Sequence, residues 1–137
     1  MNIVIVYESN TGTTATAAQA MGREFTRLGH QCAVQSVGKA DPAEVAKADL
    51  ICIGAWVKGM LIFGQHPSEG ALNFIARLDG LRGKRVGVFC TYKIATGSTL
   101  SQLSTAIERQ GGVVIGKFQY RGPHPDAQFT QFAQTLG

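Results

Sequence analysis

At 137 residues, with 45% hydrophobic side chains, the chain has room for one domain with a real core and not for two, so a single domain over residues 1–137 is expected. Its formal net charge of +4 is scattered. Only Arg82, Lys84 and Arg85 cluster, and no basic helix carries interleaved aromatics, which argues against nucleic-acid binding. Cys32, Cys52 and Cys90 are widely spaced in apolar stretches, without metal-ligand spacing to His30, His66 or His124. Buried free thiols in a reducing compartment are expected, not disulfides or a metal centre.

The elements alternate along the chain. Ile3 to Tyr7 is an apolar run that Glu8 interrupts, without a basic leader. It reads as a buried strand, and no signal peptide or membrane span is expected. Ala18, Met21, Phe25 and Leu28 then recur at helical spacing, and Gly29 can end that helix. Cys32 to Val37 predicts a second strand. Asp41-Pro42 starts a short helix, with Asp as N-cap and Pro at the first position. Leu50 to Gly54 is apolar on both faces, as a buried parallel strand requires. A long loop is expected next, then a helix from about Pro67 to Leu78. Arg85 to Cys90 is a fourth strand. Ser98 caps a helix with Leu100, Leu103 and Ile107 on one face, and Gly111-Gly112 ends it. Val113 to Phe118 and Asp126 to Leu136 complete the pattern. Such alternation predicts an α/β fold, a parallel sheet with helices on both faces.

The most telling segment is Ser9-Asn10-Thr11-Gly12-Thr13-Thr14, between the first strand and its helix. A helix start leaves N–H groups without partners at the positive end of a dipole. Hydroxyls and an amide crowd the same turn, so a phosphate can be held there without a cation. The turn lacks the Lys of a nucleotide-hydrolase loop and the three glycines of a dinucleotide fingerprint. The alternative is a polar strand-to-helix turn with a Thr N-cap.

Ile5-Val6-Tyr7, Ser9, Gly12, Thr14 and Ala18, with Met21 in the last apolar position, resemble the flavodoxin FMN-phosphate signature. The likeness covers the whole chain in element order. The fifth strand runs directly into the last helix, which is similar to the short-chain group. The resemblance implies a flavodoxin-like three-layer sandwich with a five-stranded parallel sheet of order 2-1-3-4-5, and FMN at its carboxyl edge. Ser9, Asn10, Thr11, Gly12, Thr13 and Thr14 would hold the phosphate. Ala55, Trp56, Val57, Lys58 and Gly59 would line the inner face of the ring. Trp56 stacks there, or it packs elsewhere while Met60 or Phe63 covers the ring. Gly59, beside flavin N5 by the same likeness, would permit a peptide flip, since glycine tolerates both signs of φ. Tyr92 would stack on the outer face, and backbone groups of Cys90, Thr91, Tyr92 and Lys93 would meet the pyrimidine edge. Lys58 and Lys93 would add positive charge beside the ring, where acidic family members carry negative charge. Full reduction should then be easier.

No paired carboxylates, Ser-His-Asp order or phospho-accepting pocket appears, so any chemistry is the flavin's. The resemblance implies a monomeric cytoplasmic carrier, shuttling electrons between a reductase donor and a protein acceptor. Two alternatives remain. One is a small FMN-dependent quinone or nitro reductase using the apolar stretch Met60 to Gly64. The other is an interaction module that has lost FMN.

Overall fold

The fold is taken from a computed structural model, which describes residues 1–60 and 63–136, with the side chains of residues 59, 60 and 63–66 outside the description. Eleven elements follow one another: β1 (Asn2–Tyr7), α1 (Thr13–Arg27), β2 (Gln31–Ser36), α2 (Pro42–Val45), β3 (Leu50–Met60), β4 (Phe63–Pro67), α3 (Glu69–Ala76), β5 (Arg85–Tyr92), α4 (Thr99–Arg109), β6 (Val113–Arg121) and α5 (Ala127–Thr135). The parallel strands lie in the order β2-β1-β3-β5-β6, which is 2-1-3-4-5 when only they are counted. β4 pairs antiparallel with β3, off that path.

The side-chain period of two divides the core. Ile3 and Ile5 of β1, Leu50 and Cys52 of β3, Phe89 of β5, and Phe118 and Tyr120 of β6 meet α1 and α5 through Ala17, Ala18, Met21, Phe25, Phe129 and Ala133. Their neighbours in the strands face the other way. Val6, Ile51, Ile53, Val86 and Val88 pack with Val45 of α2, Ala71, Phe74 and Ile75 of α3, and Leu103 and Ile107 of α4. This arrangement has a geometric cause. Right-handed crossovers put helices on opposite faces when the chain moves in opposite directions along a sheet. From β1 the chain steps one way to β2, then returns past β1 to β3. The strand order reverses there, and the helices part to leave a crevice beyond the strand C-termini.

Local chemistry sets most boundaries as the sequence predicts. Gly29 takes φ 95° just past α1, and Asp41 Oδ1 accepts from the Ala43 N–H at the start of α2. Asp126 likewise accepts from the Phe129 N–H at α5. Ser98 is the N-cap of α4, but its side chain does not cap the backbone. Its Oγ accepts from Gln102 Nε2 instead. The thiols are free. Cys52 and Cys90 are fully buried, whereas Cys32 on edge strand β2 is only half-buried. Burial pushes the Cys32 thiol up to about 11 and Cys90 up to about 12, so both stay protonated and unreactive near neutral pH.

Three expectations change. The long loop after the third strand is a β-hairpin: β3 continues to Met60 and folds back through β4. The helix expected from about Pro67 begins at Glu69, because Pro67 still belongs to β4 and Ser68 is the N-cap. The fourth and fifth parallel strands also run further, to Tyr92 and Arg121, which pair with each other. Extra pairing across β3, β5 and β6 lengthens these strands beyond their apolar cores, and polar residues such as Thr91 and Gln119 conceal that in the sequence.

Gly54, at the level where the hairpin leaves the sheet, has no room for a side chain. A Cβ there would lie 2.1 Å from Cζ of Phe89, itself fully buried. Overpacking of this kind costs about 1–3 kcal/mol. Gly54→Ala should therefore lower the urea midpoint by a corresponding amount without changing the slope. An unchanged midpoint would show that Phe89 can move aside.

Candidate functional site

Four segments meet at the carboxyl ends of β1, β3, β5 and β6. They enclose a cleft of about 410 Å³, lined by Ser9, Asn10, Thr11, Thr13, Thr14, Trp56, Val57, Lys58, Thr91, Tyr92, Lys93, Ile94, Ala95, Gly122 and Pro123. That volume lies within the range of small-ligand pockets.

The turn after β1 forms one end. Its N-cap is Gly12, with φ 92° and no side-chain cap on the helix, so the Thr N-cap alternative does not describe it. The Gly12 N–H donates to Ser9 Oγ at 3.0 Å, and the Gly12 carbonyl accepts from the Thr16 N–H and hydroxyl. Among the described residues, nothing accepts from the N–H groups of Thr13, Thr14 or Ala15. Three donors at the positive end of a helix of 15 residues are thus open to an anion. Thr11 Oγ1 and Thr13 Oγ1 lie 3.4 Å apart beside them. Thr14 differs. It is buried, and its hydroxyl is 2.6 Å from that of buried Thr91. It ties the turn to the end of β5.

The hairpin forms a second wall. Trp56 is half-buried and Lys58 Nζ lies 5.7 Å from the centroid of its ring, a cation–π distance. The same ammonium is 3.0 Å from Glu69 Oε2. Glu69, in the first turn of α3, thus offsets part of the positive charge that Lys58 brings to this wall. Gly59 lies where the β3–β4 register shifts between Lys58 and Met60. A covering role for Met60 or Phe63 falls outside the described side chains, and Leu61 and Ile62 fall outside the described residues.

The third wall is Thr91 to Ala95, where Tyr92 is half-buried and Lys93 exposed. Arg121 Nε donates to the Lys93 carbonyl at 3.1 Å and joins this loop to Gly122-Pro123. Ala55 and Cys90 are register partners, both fully buried. Neither is among the residues lining the cleft. Ile94 and Ala95 continue the loop that begins at Thr91, whereas Gly122 and Pro123 come from a turn outside the loops that the sequence points to. The Gly-Pro pair after the last strand is the one signal in the sequence that marks a turn there.

Glu8, directly before the turn, holds the hairpin. Its Oε1 accepts from the Gly70 N–H at 3.0 Å, and its own N–H donates to the Gly54 carbonyl at 3.0 Å. A carboxylate on the second N–H of α3 does what the N-cap Ser68 does not, since the Ser68 hydroxyl makes no cap. The Ser68 N–H instead reaches the Trp56 carbonyl at 3.2 Å. The first turn of α3 therefore connects Glu8, Trp56 and Lys58.

Comparison with known proteins agrees with this geometry. The family model for the flavodoxin domain matches residues 4–134. The chain belongs to the flavodoxin family. Proteins of this family bind FMN. Curated protein sequences give no match. Among solved structures, the two-electron reduced flavodoxin of Megasphaera elsdenii is 24% identical, with 96% of each chain covered and a TM-score of 0.83. Oxidised flavodoxin 1 from Bacillus cereus is 19% identical over the whole of both chains, with a TM-score of 0.76. A rubredoxin:oxygen oxidoreductase from Desulfovibrio gigas is 17% identical; the match covers 98% of this flavodoxin but 35% of that protein, with a TM-score of 0.76.

The contact between Glu8 and Gly70 generates a prediction of opposite signs. A Cβ on Gly70 would sit 2.0 Å from Glu8 Oε2, so Gly70→Ala must displace the carboxylate. Loss of a helix cap costs about 0.5–2 kcal/mol. In a Glu8→Ala background the clash is gone, and alanine is the better helix former by up to about 1 kcal/mol. Gly70→Ala should destabilise the native protein and stabilise the Glu8→Ala variant in urea unfolding. Equal effects in both backgrounds would show that the two residues are not coupled.

Proposed function

We propose that this flavodoxin binds FMN in the cleft and carries electrons between protein partners in the cytoplasm, from a reductase donor to a separate acceptor. One observation carries the reading. The cleft joins a lysine-free anion cradle, with three open N–H groups, to walls bearing Trp56 and Tyr92. The residues suit a phosphomonoester joined to a flat aromatic ring. The phosphate would rest on the N–H groups of Thr13 to Ala15 and on the hydroxyls of Ser9, Thr11 and Thr13. Tyr92 would stack on one face of the ring, with Trp56 or a neighbouring apolar side chain on the other. Bound FMN supplies the electron-transfer chemistry. The chain supplies orientation, shielding from water and the local field.

Among the described residues no group of three or more His, Cys, Asp and Glu side chains is placed to hold a metal ion, and none of their helices is long and apolar enough to cross a membrane.

The purified protein should be yellow and should prefer FMN to riboflavin. A hydrogen bond to a charged group contributes about 1.5–3 kcal/mol, so loss of the phosphate should cost at least about tenfold in Kd. Thr11→Ala and Thr13→Ala should narrow that preference. Equal affinity for the two flavins would overturn the phosphate cradle. A protein with no affinity for either would overturn the FMN reading and leave an interaction module.

Tyr92→Ala should brighten the fluorescence of bound FMN and weaken its binding by roughly 0.5–1.5 kcal/mol beyond the lost contact area. Unchanged emission and affinity would place Tyr92 outside the site. Lys93, whose charge no carboxylate among the described residues meets, should ease the second reduction of the bound flavin. Lys93→Gln should lower that potential by tens of millivolts or so at low salt. Lys58→Gln should move it less, because Glu69 already offsets that ammonium. Spectroelectrochemistry measures both, and a larger shift from Lys58 would reverse the assignment.

A further inference from the structure

The charges at the cleft end of the sheet are unevenly used. Four of the carboxylates there are each placed against positive charge. Asp41 caps α2 and Asp126 caps α5. Glu8 sits on the Gly70 N–H in the first turn of α3, and Glu69 pairs with Lys58. Helix N-termini and an ammonium offset their negative potential. Lys93 and Arg121 have no such counterpart among the described residues, and both are exposed. Among the residues lining the cleft are two lysines and neither Asp nor Glu.

The residue that follows Lys93 in the chain is apolar. Ile94 is 53% exposed, more than any other large hydrophobic among the described residues. Its loop is not loosely attached. The Arg121 guanidinium clips it through the Lys93 carbonyl, so the apolar group and the two charges are presented together. Elsewhere several basic side chains have intramolecular roles. Arg27 pairs with Glu24 and Lys47 with Glu44. Arg77 lies 5.5 Å from the Phe74 ring centroid, and Lys84 Nζ donates to the Ala48 carbonyl. Arg82 and Arg85 remain exposed at the opposite end of the sheet, where β5 begins.

An exposed apolar group in a loop that carries one exposed cation and is clipped by a second suits a docking face. The apolar centre is desolvated on contact, while the charged rim steers encounter and selects the partner's sign. We propose that Ile94, Lys93 and Arg121 form a docking face for an acidic protein surface surrounding the partner's redox centre. The proposal rests on the electron-carrier reading above.

The test locates the face without requiring the flavin. Amide resonances of the purified protein are followed by NMR during titration with a short poly-glutamate peptide, and separately with poly-lysine. Poly-glutamate should shift residues 93–95 and 121–122, and high salt should abolish the effect. Arg121→Gln together with Ile94→Ser should raise the apparent Kd about fivefold, as expected for rim contacts of modest strength. Arg121→Lys, which keeps the charge, should restore most of the affinity. Arg82→Gln with Arg85→Gln should leave it unchanged. Shifts confined to residues 82–85, no shifts, or a preference for poly-lysine would overturn the proposal. A second arm uses the reduced holoprotein, which gives one electron to each oxidant molecule. Its oxidation by the ferricyanide trianion should slow with added salt, and oxidation by the hexaammineruthenium(III) trication should quicken. The opposite dependence would overturn the proposal. Failure to bind FMN would count against the earlier reading alone, since the NMR arm still decides this one.

Discussion

The site depends on three backbone N–H groups that the protein does not use. Gly12 turns the chain into α1 with a positive φ, and no side chain caps the N–H groups of Thr13, Thr14 or Ala15. Buried donors left without partners would be costly, and donors at an exposed turn are satisfied by water until an anion replaces it. Everything around them follows from keeping that helix end at the mouth of the crevice. β1 is held between β2 and β3, and the face of α1 bearing Ala17, Ala18, Met21 and Phe25 is buried against the sheet. Packing fixes the helix, and the fixed helix aims the donors.

The second requirement is that the other walls keep register with this end. Two long-range side-chain contacts do so. The Thr14 and Thr91 hydroxyls join the start of α1 to the end of β5. The Glu8 carboxylate joins the residue before the cradle to the first turn of α3. Because that turn also meets Trp56 and Lys58, displacement of α3 would disturb the hairpin wall as well. Gly70 is required there by contact, not by a special φ: a methyl group would occupy the place of the carboxylate.

Charge adds a third layer. A net charge of +4 says little about where a partner meets the surface. The helix caps and one ion pair draw the nearby carboxylates into intramolecular work, and the cations beside Ile94 are left facing solvent. A composition that is only mildly basic thereby leaves exposed cations next to the cleft.

Residue pattern alone determined the alternation of strands and helices, the parallel sheet, and the turn from Ser9 to Thr14. These are local properties. Apolar runs, helical spacing, Asp41-Pro42 and a glycine after a helix each act within a few residues. The likeness to a family signature then supplied the strand order, which the sheet reproduces. Tertiary structure decided the rest, because it depends on partners distant in sequence. The extension of β3 to Met60 needs β4 and β5 beside it, so the segment reads as a loop in isolation. Nothing local in the sequence pairs Lys58 with Glu69, eleven residues on, yet the two come within 3.0 Å. Glu8 seemed only to interrupt an apolar run, but its partner is 62 positions away. Hydroxyls and glycines announced the anion cradle locally; the walls that complete it are long-range contacts, which only the folded sheet brings together.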